Sequence, residues 1–267
     1  MKKYIFLTLV FVFNSVFDKN IVKADDSAFN NYNFFETVGA DFKDIVTFPA
    51  KLSLRDTLII VPVAGVSYIL FKNDVSIYKS ISSPKTDTLN AISSVGNLLG
   101  DGRIQLSACA LMYTVGREKE RVVARQSVEA IVESGVAVQV IKVLSGRKRP
   151  KDSSDNALDF SGPSLKYDSF PSGHTVTAFA FATILSEEYD KYWLFYPLAT
   201  LVGLSRIYDD AHWASDVFVA AVIGVFIGRM NIVNYDENTN SANTGRSYSV
   251  GFDTLAQTQY VSIKFAF

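Results

Sequence analysis

The sequence predicts an all-α protein: a helical bundle with a short C-terminal β-hairpin. Three observations predict it. Apolar residues recur at helical spacing along most of the chain, period-two alternation is almost absent before residue 245, and Gly, Pro and polar breaks cut the apolar stretches into helix-sized lengths. Apolar residues make up 48% of the 267, with 20 Phe and 13 Tyr, which supplies a core and excludes a disordered chain. A formal charge of -1 gives no electrostatic basis for a nucleic-acid partner. The single cysteine, Cys109, has no internal disulfide partner and reads as a small buried apolar residue, so packing alone holds the fold.

Taken in order, residues 1–24 have the layout of a secretory signal peptide. Lys2 and Lys3 precede an apolar stretch from Tyr4 to Phe17, and Val22 and Ala24 flank a cleavage point before Asp25. The apolar run is shorter than the roughly 20 residues of a spanning helix. Residues 25–267 then form one helical domain. Phe35, Val38, Phe42, Ile45 and Val46 share a helix face that Pro49 ends. Helices follow over Thr57–Phe71, with Pro62 as a kink point, over Thr86–Leu99 up to the Gly100-Asp101-Gly102 turn, over Ile104–Val115, and over Val122–Leu144 up to Gly146. His174–Leu185, Trp193–Ile207 and His212–Met230 complete a bundle of six or seven. Residues 151–170 are a long polar break, a loop of the kind that is functional or disordered. The tail, 245–267, alternates Tyr248, Val250 and Phe252, then Val261, Ile263, Phe265 and Phe267, which predicts the hairpin.

Three segments concentrate polar chemistry: "KVLSGRKRP" from Lys142, "PSGH" ending at His174, and "SRIYDDAHWASD" from Ser205. They hold both histidines of the chain. Pro-Ser-Gly before an apolar helical run is a helix start with Ser172 as its cap, and a helix start presents free N–H groups to an anion. His212 and Asp216 are four apart, which on a helix puts them on one face, so the carboxylate is placed to hold one ring nitrogen and leave the other as a lone pair. Arg149 and Arg206 are each able to grip an oxyanion through two N–H groups, and Lys142 adds a point charge. Three cations suit a phosphate group, which carries about -1.5 to -2 charge at neutral pH.

These segments resemble the signature of the type 2 phosphatidic acid phosphatase and vanadium haloperoxidase superfamily: Lys, six residues, Arg-Pro; Pro-Ser-Gly-His; Ser-Arg, five residues, His, three residues, Asp. Every fixed position is matched in order within residues 142–216. The resemblance implies a helical phosphatase without a metal or other cofactor, acting on a phosphate monoester or pyrophosphate on a lipid through a phosphohistidine. It implies Lys142, Arg149, Arg206, Ser172 and the Gly173 N–H as the phosphate cradle. His212 would be the nucleophile, Asp216 the group that fixes its ring, and His174 the acid and then the base; Ser205 has only a structural role. Two alternatives stand beside this: a haloperoxidase with vanadate in the same cradle, and a non-catalytic lipid-phosphate binding protein. The expected partner is a phosphorylated substrate, with membrane-surface contact. The expected location is outside the inner membrane, in the periplasm or on an outer face, with an integral membrane protein as the alternative.

Overall fold

Caps written into the sequence set the helix limits. The computed structural model describes residues 54–244, with side chains from Ile60 to Ile232, and the isolated Gly39. The signal peptide, the helix around Phe35 and the 245–267 hairpin lie outside the described residues. Within them the order is α1 (Leu54–Ile81), α2 (Asp87–Gly100), α3 (Gly102–Val115), α4 (Glu118–Ser145), α5 (Gly173–Tyr189), α6 (Tyr192–Tyr208) and α7 (Ala214–Thr244). Among the described residues there is no strand, only an isolated antiparallel bridge between Arg147 and Phe160. Thr86 caps α2 by accepting from the Leu89 N–H at 3.2 Å, and Asp101 caps α3 by accepting from the Arg103 N–H at 2.9 Å. Gly146 ends α4 at φ +52°, a left-handed position where a Cβ would fall 2.0 Å from the Gly162 carbonyl oxygen.

Helix α5 is the axis of the bundle and packs against α4, α6 and α7. One core joins Val123, Ala130 and Val138 of α4 to Val176, Ala180 and Ile184 of α5 and Ala220 and Ile227 of α7. A second joins Phe179 and Ala182 to Tyr196, Ala199 and Val202 of α6. Backbone contact between α5 and α7 is close because Gly224 and Gly228 face it. A Cβ on either would lie 2.4 Å from the Val176 oxygen or 2.7 Å from the Ala180 oxygen.

Two of the differences from the sequence expectation bear on the site. Helix α1 continues ten residues beyond Phe71, because Leu70, Ile77 and Ile81 pack on Ile207, Ala214 and Val217 while Asp74 is tied into the interior. Asp74 is the only fully buried residue between Ile60 and Ile81. Helix α7 begins at Ala214, not His212. The Asp216 carboxylate folds back to accept the Trp213 N–H at 2.9 Å, the N3-to-N-cap half of a capping box, and this leaves His212 in the preceding loop.

Candidate active site

The segment between α4 and α5 is ordered by its own backbone. Lys148 N–H donates to the Asp159 carbonyl at 3.0 Å, Ser161 N–H to Gly146 at 3.0 Å, and Ser169 N–H to Arg147 at 3.0 Å. This folding lays Asp168 against Lys142 at the end of α4, and Ser169 against His212 and against Asp216 in the first turn of α7. Lys142 lies in the last turn of α4, Arg149 just before a 3-10 turn at Pro150–Asp152, and Arg206 in the last turn of α6. The charges of Lys142 and Arg149 act on both His174 and His212, and that of Arg206 on His174, so these groups lie within electrostatic reach of one another.

His212 is buried, and its Nδ1 lies 2.7 Å from the Ser169 carbonyl oxygen. A carbonyl only accepts, so the neutral ring carries its proton on Nδ1 and presents an unprotonated Nε2. Asp216 is 3.7 Å from Nδ1, beyond hydrogen-bond range. The sequence expectation that Asp216 holds the ring directly is therefore replaced by a relay. Ser169 donates its hydroxyl to Asp216 Oδ2 at 2.6 Å and turns its carbonyl to the ring. The ring geometry depends on a carbonyl, which no side-chain pattern reveals. Burial pushes the His212 pKa down to about 4, against the pull of the nearby Asp216 carboxylate.

Asp216 in turn is fixed by Arg147, which the motif reading passed over. Arg147 is fully buried and donates five hydrogen bonds: Nε and Nη2 to the Ala157 carbonyl at 2.9 and 2.7 Å, Nη1 to Ser215 Oγ at 2.7 Å and to Asp216 Oδ1, and Nη2 to Asp74 Oδ2 at 2.8 Å. That uses every N–H a guanidinium has. Phe71, Phe160 and Trp213 enclose it, with ring centroids 4.7, 5.1 and 5.7 Å from its central carbon. Asp74 also accepts the Ser215 N–H at 2.9 Å, at the start of α7. The signal for Asp74 was present: it is the one acid between Ile60 and Ile81, the apolar part of α1.

Ser172 holds the N-cap position of α5, but its hydroxyl accepts from Thr175 Oγ1 at 2.9 Å instead of capping a backbone N–H. Gly173 opens the helix, and a Cβ there would meet only Val138, at 3.8 Å. The first-turn N–H groups of α5 have no partner within the helix. His174 follows, partly buried, with the Gly100 turn so near that a Cβ on Gly100 would sit 3.1 Å from its ring. Burial, then the Arg206 charge, lowers the His174 pKa below its ordinary value.

Arg206 donates to Asn97 Oδ1, while Asn97 donates to Asp209, which also accepts from Ser93 Oγ at 2.8 Å. Helix α2 thus positions Arg206, a role the sequence did not show. The Arg206 Nε is buried without an acceptor, a donor suited to an oxyanion. Ser205 donates to the Leu201 carbonyl at 2.8 Å and stays structural. Burial lowers the Lys142 pKa to about 8 against the pull of Asp168.

The chain is 31% identical over 189 residues to a lipid A 1-phosphatase of Porphyromonas gingivalis, a match covering 68% of this chain and 38% of that protein. It is 31% identical over 108 residues to a lipid A 1-phosphatase of Rhizobium johnstonii, covering 39% of this chain and 44% of that one. The chain thus spans less than half the length of these curated relatives. Among solved structures, a transmembrane PAP2-type phosphatidylglycerolphosphate phosphatase of Bacillus subtilis superimposes with a TM-score of 0.50 at 19% identity, over 66% of this chain and 95% of that one, and shows the shared fold. The PAP2 superfamily profile matches residues 124–239, which contain all three motif segments, so the chain carries a PAP2 superfamily domain.

Proposed function

We propose that this protein is a phosphatase that removes a terminal phosphate from a lipid, by way of a phosphohistidine on His212. The observation that carries this reading is the His212 hydrogen bond to the Ser169 carbonyl, which leaves Nε2 as a free nucleophile within reach of the Lys142 and Arg149 charges. Lys142, Arg149 and Arg206, with the first N–H groups of α5, bind the phosphate oxygens and stabilise the charge that develops on them. His212 Nε2 attacks phosphorus as the ester P–O bond breaks, and His174 gives its proton to the leaving oxygen. His174 then takes a proton from water, whose oxygen attacks phosphorus; the N–P bond breaks and inorganic phosphate leaves. Asp216, 3.7 Å away, stabilises the positive charge His212 gains.

The lipid carrier is supported by the names of the relatives and by the surface. Large apolar side chains are exposed on α1 (Ile60, Val61, Tyr68, Ile69), on α2 (Ile92, Val95, Leu98) and on the outer turns of α3 and α6. The segment Ile60–Ile81 is 22 residues long with a mean hydropathy of 1.3, long and apolar enough to cross a bilayer. Ala214–Ile232 also meets that test but is largely buried as a core helix. This favours the integral membrane alternative over the surface-attached domain expected from the sequence. The test is phosphate release from lipid A, phosphatidate, a polyprenyl pyrophosphate and small monoesters, by the wild type and by His212→Ala, with carbonate extraction of membranes alongside. Release from lipid substrates that is lost in the variant supports the reading; equal release by both contradicts it.

A further inference from the structure

Asp168 already engages two of the proposed cradle cations. Its carboxylate meets Arg149 fork to fork, Nε to Oδ1 at 2.8 Å and Nη2 to Oδ2 at 2.7 Å. Oδ2 is also 3.8 Å from the Lys142 ammonium, which donates to the Asp168 backbone carbonyl. Two of the three cradle cations therefore already face a carboxylate. Its setting differs from that of the other acids of the site. Asp74 and Asp216 are fully buried, and each accepts from several donors on the interior. The Asp168 side chain is 48% exposed, against 22% for Arg149 and 10% for Lys142, so it is more open to water than either cation. Turning outward moves this carboxylate into solvent and leaves the two cations for another anion. The backbone need not move: Ser169, next in the chain, stays tied to His212 and Asp216.

We infer that Asp168 is an internal competitor for the phosphate subsite and sets the charge a ligand must carry to enter it. The inference rests on the proposed phosphatase reading and concerns the same pocket. A phosphodiester carries one negative charge, as the carboxylate does, and must displace a group that the chain holds beside the cations at high effective concentration. A terminal monoester carries nearly two charges and a third peripheral oxygen. It replaces the carboxylate on Arg149 and Lys142 and also satisfies the Arg206 Nε, which Asp168 does not reach. Asp168 thereby selects terminal phosphates over diesters, the linkage found inside most phospholipid headgroups.

The test is calorimetric titration of the full chain in detergent with inorganic phosphate and with dimethyl phosphate, a monoanionic diester, at pH 7.5. The wild type is expected to bind phosphate and to bind dimethyl phosphate far more weakly. Asp168→Asn is expected to bind phosphate about tenfold more tightly, since one unit charge a few ångströms from the ligand is removed and water screens the rest. It is also expected to gain measurable affinity for dimethyl phosphate. Asp168→Ser should behave the same way, without the amide. Unchanged affinities in both variants mean an inert surface ion pair, and weaker phosphate binding means that Asp168 positions Arg149; either overturns the inference. Arg149→Gln separates this from failure of the site itself. If Arg149→Gln weakens phosphate binding while the Asp168 variants do not strengthen it, only the competitor role falls. If Arg149→Gln has no effect, or no variant binds phosphate, the cradle and the competitor fall together.

Discussion

Arg147 and Arg149 are separated by a single residue, and the chain sends them to opposite environments. Arg147 points inward, fully buried among three aromatic rings, with two carboxylates, a hydroxyl and a carbonyl on its five N–H groups. Arg149 points to the pocket, is 22% exposed, and has one carboxylate that is half in water. The first builds a fixed wall: Arg147 holds Asp216 and Asp74, these hold the start of α7, and Asp216 holds the Ser169 that orients His212. The second belongs to an exchangeable wall whose partners are ions. A phosphoryl-transfer site needs both, since the nucleophile must not move and the oxyanion must come and go. The basic run "GRKRPK" reads as uniform charge, yet its two arginines differ: Arg147 is sealed among aromatic rings and Arg149 faces the half-exposed Asp168.

Substitutions on the two walls should separate them. The largest effect is expected for His212→Ala, with turnover falling by about six orders of magnitude, as for loss of a catalytic nucleophile; single-turnover phosphate release checks it. Next comes Arg147→Met, which leaves Asp74 and Asp216 buried without their cation. It is expected to lower unfolding stability by about 3–5 kcal/mol, read by denaturant unfolding in micelles, whereas Arg149→Met should change it by less than about 1 kcal/mol. Equal losses would erase the distinction between the walls. Arg206→Ala should reduce kcat by about 10²–10³ with stability nearly kept, as for loss of one oxyanion donor.

A smaller effect concerns pH. His212 must be neutral, and its pKa of about 4 keeps it so down to acidic pH. His174 must be protonated, and its pKa lies below 6.5. The productive combination therefore occupies a window above about 4 and below 6.5, and kcat/KM, which reports the free enzyme, should peak on the acid side of 6.5. Above about 8, loss of the Lys142 charge weakens phosphate binding further. A maximum above pH 8 would contradict these assignments.

Much of this was legible in the sequence, for identifiable reasons. The helices were readable because their breaks are chemical: Thr86, the Gly100-Asp101-Gly102 turn and Gly146 stop or start them wherever they pack. The eight candidate site residues stood out because phosphate chemistry restricts residue type and spacing; the roles given to them are those of the proposed function. Periodicity could not show that α1 outruns its apolar stretch, since a tertiary contact, Asp74 to Arg147, holds its last turns. Nor could spacing show that His212 sits off the helix, since an i,i+4 pair looks the same whether Asp216 caps the helix or lies within it. Ser169 acts through its carbonyl, Asn97 acts from another helix, and Asp168 acts by exchange, so none has a local signature.

The most direct measurement is a rapid acid-free quench of the protein with a radiolabelled lipid phosphate, followed by peptide mapping. A phosphoryl group on His212, stable in base and labile in acid, is expected in the wild type. It should accumulate in His174→Ala with a substrate whose leaving group needs no proton, and be absent from His212→Ala. Label on any other residue, or turnover with no label in His174→Ala under those conditions, would contradict a nucleophilic His212.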